Sequence, residues 1–198
     1  MNQKGDMEFL DLLKKLPKEV SCLGTLFIAG VYGVGKSTLC SQLSKELNIP
    51  TFSAGDLISA VNGEQYGANK VVSDKISNQN ILAVEVHKQL QIHPKILLAG
   101  HFCIFNRENQ VECLPEDIYS KLNIIHILLL EGSTEKILGN LSTRDHRVYT
   151  YDQISELKKT ERIMAQKIST LIGCNIHTHK MLFDKTDLGK CLSYLKGD

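Results

Sequence analysis

The chain has 198 residues, of which 42% are hydrophobic and 23% charged, and its 23 basic and 22 acidic residues leave a formal net charge of +1. This length suits one domain with a sizeable core, and the balanced charge does not indicate a nucleic-acid-binding surface. No apolar run reaches the roughly 20 residues that span a bilayer, and residues 1–20 are too acidic and interrupted for a secretory signal. Six scattered cysteines without a CxxC spacing are typical of reduced thiols, so we expect a cytoplasmic protein without a membrane segment.

A short amphipathic segment is followed by alternating apolar strands and helices. Residues 7–16 carry apolar side chains at helical spacing, which predicts an N-terminal helical extension over residues 1–23. The predicted strands are Thr25–Ala29, Pro50–Gly55, Lys95–Gly100, Asn123–Leu130 and Ile176–Phe183. The predicted helices are Ser37–Leu47, Ile81–Ile92, Ser133–Leu141, Tyr151–Ile172 and Leu188–Leu195. Apolar strands separated by helices predict a parallel sheet covered on both faces, and hence one three-layer α/β domain over residues 24–198.

The turn after the first strand reads GVYGVGKST and matches G-x-x-x-x-G-K-[ST] at every fixed position. It lies between a predicted strand and a predicted helix, which is the context that a phosphate-binding loop requires. Glycines allow the torsions and close approach that such a loop needs, and its successive N–H groups form an anion nest at the helix N-terminus. The lysine suits the β- and γ-phosphates, and the serine hydroxyl suits Mg²⁺. The pattern predicts a site for ATP and Mg²⁺ formed by Gly30, Gly33, Val34, Gly35, Lys36, Ser37 and Thr38.

Several segments together resemble the adenylate kinases and related nucleoside monophosphate kinases, in particular the archaeal and nuclear-type subgroup. The segment SAGD at residues 53–56 is similar to the family's S-x-G-D element, and Gly100-His101 to its third-strand element. Residues 141–150 look like the family's lid. The resemblance implies a P-loop fold with five parallel strands in the order 2-3-1-4-5 and an acceptor-binding region at about residues 54–92. It also implies Mg-ATP-dependent phosphoryl transfer to a small molecule, with a nucleoside monophosphate as the first expected acceptor.

The resemblance assigns roles outside the phosphate loop. Ser53, Gly55 and Asp56 are expected to face the substrate, with Asp56 holding a Mg²⁺-bound water or orienting an acceptor hydroxyl; a helix cap is the other interpretation. His101 is expected at a strand end, where it contacts the acceptor or fills the core. Two lid arginines, Arg144 and Arg147, are expected either to clamp the transferring oxygens or to form a solvated helix surface.

Departures from the family pattern keep other functions open. Ser59 stands where many members have an arginine for the acceptor phosphate, and Ala99 stands where the bacterial type has an aspartate. The whole chain holds only four arginines. The alternatives are a kinase of another small metabolite and a nucleotide-binding switch or regulatory ATPase with weak or no kinase activity. The sequence leaves the oligomeric state open.

Overall fold

The computed structural model describes residues 23–62, 75–144 and 148–196, so the predicted helix over residues 7–16 lies outside the described residues. The strands are β1 (Gly24–Ala29), β2 (Thr51–Ser53), β3 (Lys95–Ala99), β4 (Cys103–Phe105), β5 (Val111–Cys113), β6 (Ile124–Glu131) and β7 (Asn175–Lys180). The helices are α1 (Lys36–Leu47), α2 (Ala54–Asn62), α3 (Lys75–Ile92), α4 (Asp117–Lys121), α5 (Thr134–Arg144), α6 (Tyr151–Ile172) and α7 (Thr186–Lys196).

Five strands form one parallel sheet in the order β2-β3-β1-β6-β7. Strands β4 and β5 form a separate antiparallel hairpin. When the hairpin strands are left out of the count, the sheet order is the predicted 2-3-1-4-5. The predicted fold class, a parallel sheet with helices on both faces, is therefore confirmed.

The centre of the sheet is covered on both sides, as the continuous apolar runs predict. All six residues of β1 are buried, and Leu97, Leu98 and Leu128 are fully inaccessible to solvent. In parallel strands of this kind every side chain meets a covering helix, so neither face has to be polar. The rigid centre fixes the carboxyl ends of β1 and β3 side by side, and the glycine-rich turn begins there.

The hairpin between β3 and α4 was not predicted, because each of its strands has only three residues. Its turn is fixed by the Asn106 side chain, which accepts hydrogen bonds from the N–H groups of Glu108 and Gln110. Asn109 adopts a left-handed conformation with φ 60°, which asparagine tolerates better than most residues. These polar contacts are local, so the hairpin leaves only a weak signal in hydrophobic periodicity.

Two predicted strands end earlier than expected. Pro50–Gly55 was predicted as one strand, but β2 ends at Ser53, whose Oγ accepts the N–H of Asp56 and so caps α2. The last strand was predicted to reach Phe183, but β7 ends at Lys180. After β7, the carboxylate of Asp187 accepts hydrogen bonds from the backbone N–H groups of residues 182–184, so these groups do not pair with a neighbouring strand. Among the helices of the described residues, none combines the length and apolarity needed to cross a bilayer.

Candidate active site

The phosphate loop has the backbone geometry that its glycines predict. Gly30, Gly33 and Gly35 have φ values of 140°, 74° and 97°, a region that side chains rarely allow. A Cβ at Gly30 would lie 2.6 Å from the carbonyl oxygen of Leu130, and one at Gly33 would lie 2.9 Å from Leu141. Glycine is therefore required at both positions, because the φ angle disfavours a side chain and because a Cβ would be too close to neighbouring atoms. The loop then enters α1, whose first N–H groups point away from the helix body.

Lys36 is held over the loop by the loop's own carbonyl groups. Its Nζ donates to the carbonyl oxygen of Gly30 at 2.6 Å and to that of Val31 at 3.0 Å. The same Nζ lies 3.5 Å from Nδ1 of His101. The ammonium group is thus positioned above the concave side of the loop, between α1 and the end of β3. Ser37 and Thr38 follow Lys36 in the chain. Both are exposed, and both line the cavity in front of the phosphate loop.

A buried carboxylate beneath the loop was not predicted. Glu161 of α6 is 1% exposed, and Oε1 accepts the N–H of Gly30 at 3.2 Å. Its oxygens also accept the N–H of Phe102 at 3.0 and 3.1 Å and that of Cys103 at 2.7 Å. One side chain therefore joins the start of the phosphate loop to the segment after β3 and to the start of the hairpin. We call this arrangement the Glu161 clamp.

Burial raises the pKa of Glu161 from its ordinary 4.5 to about 7, while the N–H of Phe102, the charge of Lys36 and the N–H groups of Cys103 and Gly30 oppose that rise. A sequence signal for this residue existed. Glu161 lies at helical spacing among the buried apolar residues of α6, where a charged side chain has to find polar partners inside the protein.

A single cavity of about 800 Å³ contains the loop and the region expected to bind the acceptor. Ser53 and Gly55 line it as predicted, and so does His101, whose ring packs 4.4 Å from the ring of Tyr32. Two amide side chains that were not singled out, Asn78 and Gln79, are 8% and 9% exposed and also line it. The cavity thus joins the phosphate loop to a wall of apolar and amide groups.

Asp56 was expected to face the substrate together with Ser53 and Gly55, but it is not among the residues that line the cavity. It is exposed in the first turn of α2, three residues after the Ser53 cap, so the alternative in which Asp56 itself is the cap is wrong. Ser59, which stands where an arginine was expected, donates its hydroxyl to the carbonyl oxygen of Gly55 within the same helix. At the position where the family pattern has an acceptor-binding arginine, α2 therefore carries a small hydroxyl side chain that is hydrogen-bonded to the helix backbone.

The segment after β7 forms another wall of the cavity and is fixed by Asp187. This buried carboxylate accepts the N–H groups of Leu182, Phe183 and Asp184 and lies 2.8 Å from Nε2 of His179. Burial alone would raise the pKa of Asp187, but the N–H of Leu182, the His179 ring and the other N–H groups together hold it below its ordinary 3.8. Phe183, which has a left-handed φ of 62°, is thereby placed against the phosphate loop near Gly35.

The arginines are only partly described. Arg162 of α6 is paired with Glu131 at the end of β6, one contact being Nη2 to Oε2 at 2.6 Å. Arg144 is the last residue of α5, and only its backbone is described. Arg147 lies outside the described residues, so the two lid assignments stay predictions. Asn140 of α5 donates to the carbonyl oxygen of Gly33 at 2.8 Å and ties the start of this region to the phosphate loop.

The protein oxygens near the loop fit a magnesium ion that is held mainly by a nucleotide. Among the described residues no group of three or more histidine, cysteine or acidic side chains is arranged to hold a metal. Mg²⁺ in kinase sites typically takes one or two protein oxygens together with water and phosphate oxygens. The Ser37 hydroxyl at the N-terminus of α1 suits that role, and an exposed Asp56 suits a contact through water.

Comparisons with known proteins agree with this geometry. A family model described as AAA domain matches residues 29–158, more than half of the chain. A stretch of 64 residues is 36% identical to UMP-CMP kinase 2 of Caenorhabditis elegans; it covers 31% of this chain and 32% of that protein, so the match spans about a third of the relative. The predicted resemblance to the nucleoside monophosphate kinases is confirmed.

Solved structures share the fold at low sequence identity. Shikimate kinase from Bacteroides thetaiotaomicron has a TM-score of 0.56 at 12% identity, covering 88% of this chain and 99% of that chain. Shikimate kinase from Acinetobacter baumannii, solved in complex with shikimate, has a TM-score of 0.56 at 15% identity, covering 91% and 97%. A sugar kinase from Janibacter has a TM-score of 0.55 at 13% identity, covering 87% and 94%. At such identities the likeness establishes the fold alone.

Proposed function

Because the chain belongs to the AAA domain family, we propose that it is an ATP- and Mg²⁺-dependent phosphotransferase whose first-choice acceptor is a nucleoside monophosphate. The observation that carries this proposal is the shared cavity. The phosphate loop with Lys36 and the strand-end elements around Ser53 and His101 line one space of about 800 Å³. A donor nucleotide and a small acceptor can meet there without crossing a protein wall.

The residues can act mainly by position and charge, which is what phosphoryl transfer requires. Loop N–H groups and the α1 N-terminus would bind the β- and γ-phosphates, and Lys36 would neutralise charge between them. When bound, Mg²⁺ would neutralise phosphate charge, with Ser37 as a direct ligand and Asp56 as a ligand through water. Arg144 and Arg147 would close over the transferring oxygens and exclude water.

The acceptor assignment is supported by the similarity to UMP-CMP kinase 2 together with the SAGD and Gly100-His101 elements. His101 is suited to contact an acceptor phosphate, because its Nδ1 lies 3.5 Å from the ammonium group of Lys36. It would meet the acceptor where donor and acceptor phosphates approach each other.

A second acceptor class, an uncharged metabolite alcohol, is favoured by one specific observation. The expected acceptor region, residues 54–92, contains no arginine, and Ser59 is bonded to its own helix. Asn78 and Gln79 instead line the cavity as largely buried amides. Arginine forks suit phosphate, whereas amides suit neutral hydrogen-bonding groups.

The experiment is a transfer assay with Mg-ATP and two acceptor panels. One panel holds AMP, CMP, UMP, GMP and dephospho-coenzyme A, and the other holds neutral polyols and cyclic alcohols, shikimate included. ADP release and the mass of the phosphorylated product are measured, with Lys36→Ala as the inactive control. Transfer to a monophosphate supports the first proposal, and transfer to neutral alcohols alone supports the second. Tight Mg-ATP binding without any transfer would favour the switch, and no nucleotide binding would refute all three.

A further inference from the structure

Two cysteines face each other across the hairpin beside the phosphate loop. Cys103 of β4 and Cys113 of β5 are partners in the antiparallel register, and their Sγ atoms are 3.5 Å apart. Backbone hydrogen bonds hold the hairpin at both ends, from Leu114 N–H to the Phe102 oxygen at 2.8 Å beside the cysteine pair and from Asn106 N–H to the Gln110 oxygen at 2.9 Å at the turn. The two thiols therefore stay opposite each other.

The backbone at this pair suits a disulfide bond. Residue pairs alternate along an antiparallel ladder, and Phe102–Leu114 and Asn106–Gln110 are both hydrogen-bonded pairs. Cys103 and Cys113 therefore form a non-hydrogen-bonded pair, the closer of the two pair types. Cα atoms in such pairs are about 4.5 Å apart, within the range of about 4.4–6.8 Å found in disulfides. Side-chain rotation can then bring the sulfurs from contact to the bonded distance of about 2.05 Å.

Access to the two sulfurs is unequal. Cys113 is exposed, whereas Cys103 is fully buried, so a reagent from solvent meets Cys113 first. Burial and the neighbouring Glu161 carboxylate raise the pKa of the Cys103 thiol well above its ordinary range. Cys103 therefore stays protonated until a partner sulfur is already in place. An exposed first thiol beside a buried second thiol suits stepwise oxidation.

The buried cysteine is also part of the Glu161 clamp. Its N–H donates to Oε2 of Glu161 at 2.7 Å, and Oε1 of the same carboxylate holds the N–H of Gly30 at 3.2 Å. Two residues before Cys103, the Nδ1 atom of His101 lies 3.5 Å from Nζ of Lys36. A change at Cys103 thus reaches the first residue and the lysine of the phosphate loop through at most two contacts.

We propose that Cys103 and Cys113 form a redox modification site, in which a small-molecule disulfide converts them to an intramolecular disulfide that alters nucleotide affinity through the Glu161 clamp. The Cys113 thiolate attacks one sulfur of the external disulfide, breaks its S–S bond and releases one thiolate. The Cys103 sulfur then attacks the Cys113 sulfur and releases the second thiolate. The two cysteine protons end on the two released thiols, so the external disulfide is reduced as the pair is oxidised.

Glu161 is placed to accept the Cys103 proton during the second step. Its carboxylate receives the Cys103 N–H, and its pKa of about 7 allows it to take up and pass on a proton near neutral pH. A proton on Glu161 converts an acceptor oxygen into a donor, which weakens its hold on a backbone N–H group. In the oxidised form the link is the clamp itself, because the carboxylate that accepts the Cys103 N–H also accepts the Gly30 N–H, and a shift of Cys103 moves both.

The test equilibrates the full-length protein with defined ratios of reduced to oxidised glutathione, followed by alkylation, trypsin digestion and mass spectrometry. Arg107 lies between the two cysteines, so trypsin yields separate peptides, 96–107 and 108–121, each with one cysteine. We expect a single species that joins these peptides and is lost on reduction. It should be absent in Cys113→Ser, an exposed position that tolerates the change, and retained in the control Cys174→Ser.

Coupling is measured by Mg-ATP titration of the oxidised and reduced forms. We expect the dissociation constants to differ by about fivefold or more. At half-oxidation, saturating Mg-ATP should shift the square of the reduced glutathione concentration divided by the oxidised glutathione concentration by a matching factor, because two reduced molecules form for each oxidised one consumed. A glutathione adduct that persists on Cys113, or a disulfide mapping to other cysteines, overturns the site. Equal nucleotide affinities in both forms overturn the coupling. The peptide mapping needs no kinase activity, so failure of the proposed function is distinguishable from failure of this proposal.

Discussion

Replacing Glu161 by glutamine tests the clamp through its dependence on pH. The folded-state pKa of about 7 lies above the ordinary 4.5, so the folded protein holds this proton more tightly than the unfolded chain does. The stability that Glu161 gains from binding its proton more tightly in the folded state is therefore fully present below pH 4.5. It is lost as the pH rises to about 7. Glutamine carries no charge and resembles the protonated side chain at every pH.

The expected difference in the free energy of unfolding follows from the pKa shift of Glu161 and from its hydrogen bonds. A rise from 4.5 to about 7 corresponds to about 3 kcal/mol, most of which is lost between pH 5 and pH 8. Both protonated Glu161 and glutamine can keep one acceptor oxygen on the N–H groups of Phe102 and Cys103, at 3.0 and 2.7 Å. Both give up the longer bond to Gly30 at 3.2 Å. The variant should therefore match the wild type within about 1 kcal/mol at pH 5 and exceed its stability by about 2–3 kcal/mol at pH 8.

The assay is urea unfolding of wild type and Glu161→Gln at pH 5, 6.5 and 8, with Glu156→Gln as the matched control on the same helix. Glu156 is exposed, so its replacement should leave the pH dependence of the wild type unchanged. Mg-ATP affinity should fall in Glu161→Gln, because the first residue of the phosphate loop loses its carboxylate partner. A stability difference that stays constant from pH 5 to pH 8 would refute the reasoning.

Three further replacements test the donor site and the proposed chemistry. Lys36→Ala should weaken Mg-ATP binding by about 10- to 150-fold, from the loss of a charge-assisted contact of about 1.5–3 kcal/mol, and calorimetry that finds wild-type affinity would contradict the assignment. Arg144→Ala and Arg147→Ala should each lower kcat by roughly one to three orders of magnitude with little change in nucleotide affinity, whereas normal turnover in both would make residues 141–150 a surface connector. Asp56→Asn should lower transfer sharply at unchanged thermal stability, since Ser53 caps the helix, and unchanged transfer and Mg²⁺ dependence would remove Asp56 from the site.

The sheet and the phosphate loop were predictable because their signals are local. Four fixed positions at set spacing specify the loop, and strands such as β1 and β3 are short apolar runs bounded by turns. The residues that line the cavity opposite the loop were predictable only where a motif names them, as for Ser53 and His101. Asn78 and Gln79 lie in a helix without such a motif, and their burial depends on how α3 packs against the sheet.

The Glu161 clamp required tertiary structure for a different reason. Its partners are backbone N–H groups at Gly30, Phe102 and Cys103, up to 131 residues away in the chain. A backbone donor is present at nearly every position and leaves no mark in the sequence. The charged residue within the apolar face of α6 indicates only that some polar partner exists. Asp187 is similar, since three of its four partners are also backbone N–H groups.

The contacts of Glu161 also decide whether it can replace the aspartate that the bacterial type carries in the third strand, where this chain has Ala99. Ala99 ends β3, and Glu161 lies under the same strand end, so this glutamate is the natural candidate to replace a missing aspartate. Its two oxygens, however, are occupied by the N–H groups of Gly30, Phe102 and Cys103, and it is 1% exposed. A carboxylate that faces backbone donors in the interior cannot also face a hydrated metal ion in the cavity. In the proposed reaction the metal would therefore be held by Ser37 and the nucleotide phosphates, with Asp56 acting only through water, and Glu161 would position the loop that binds those phosphates.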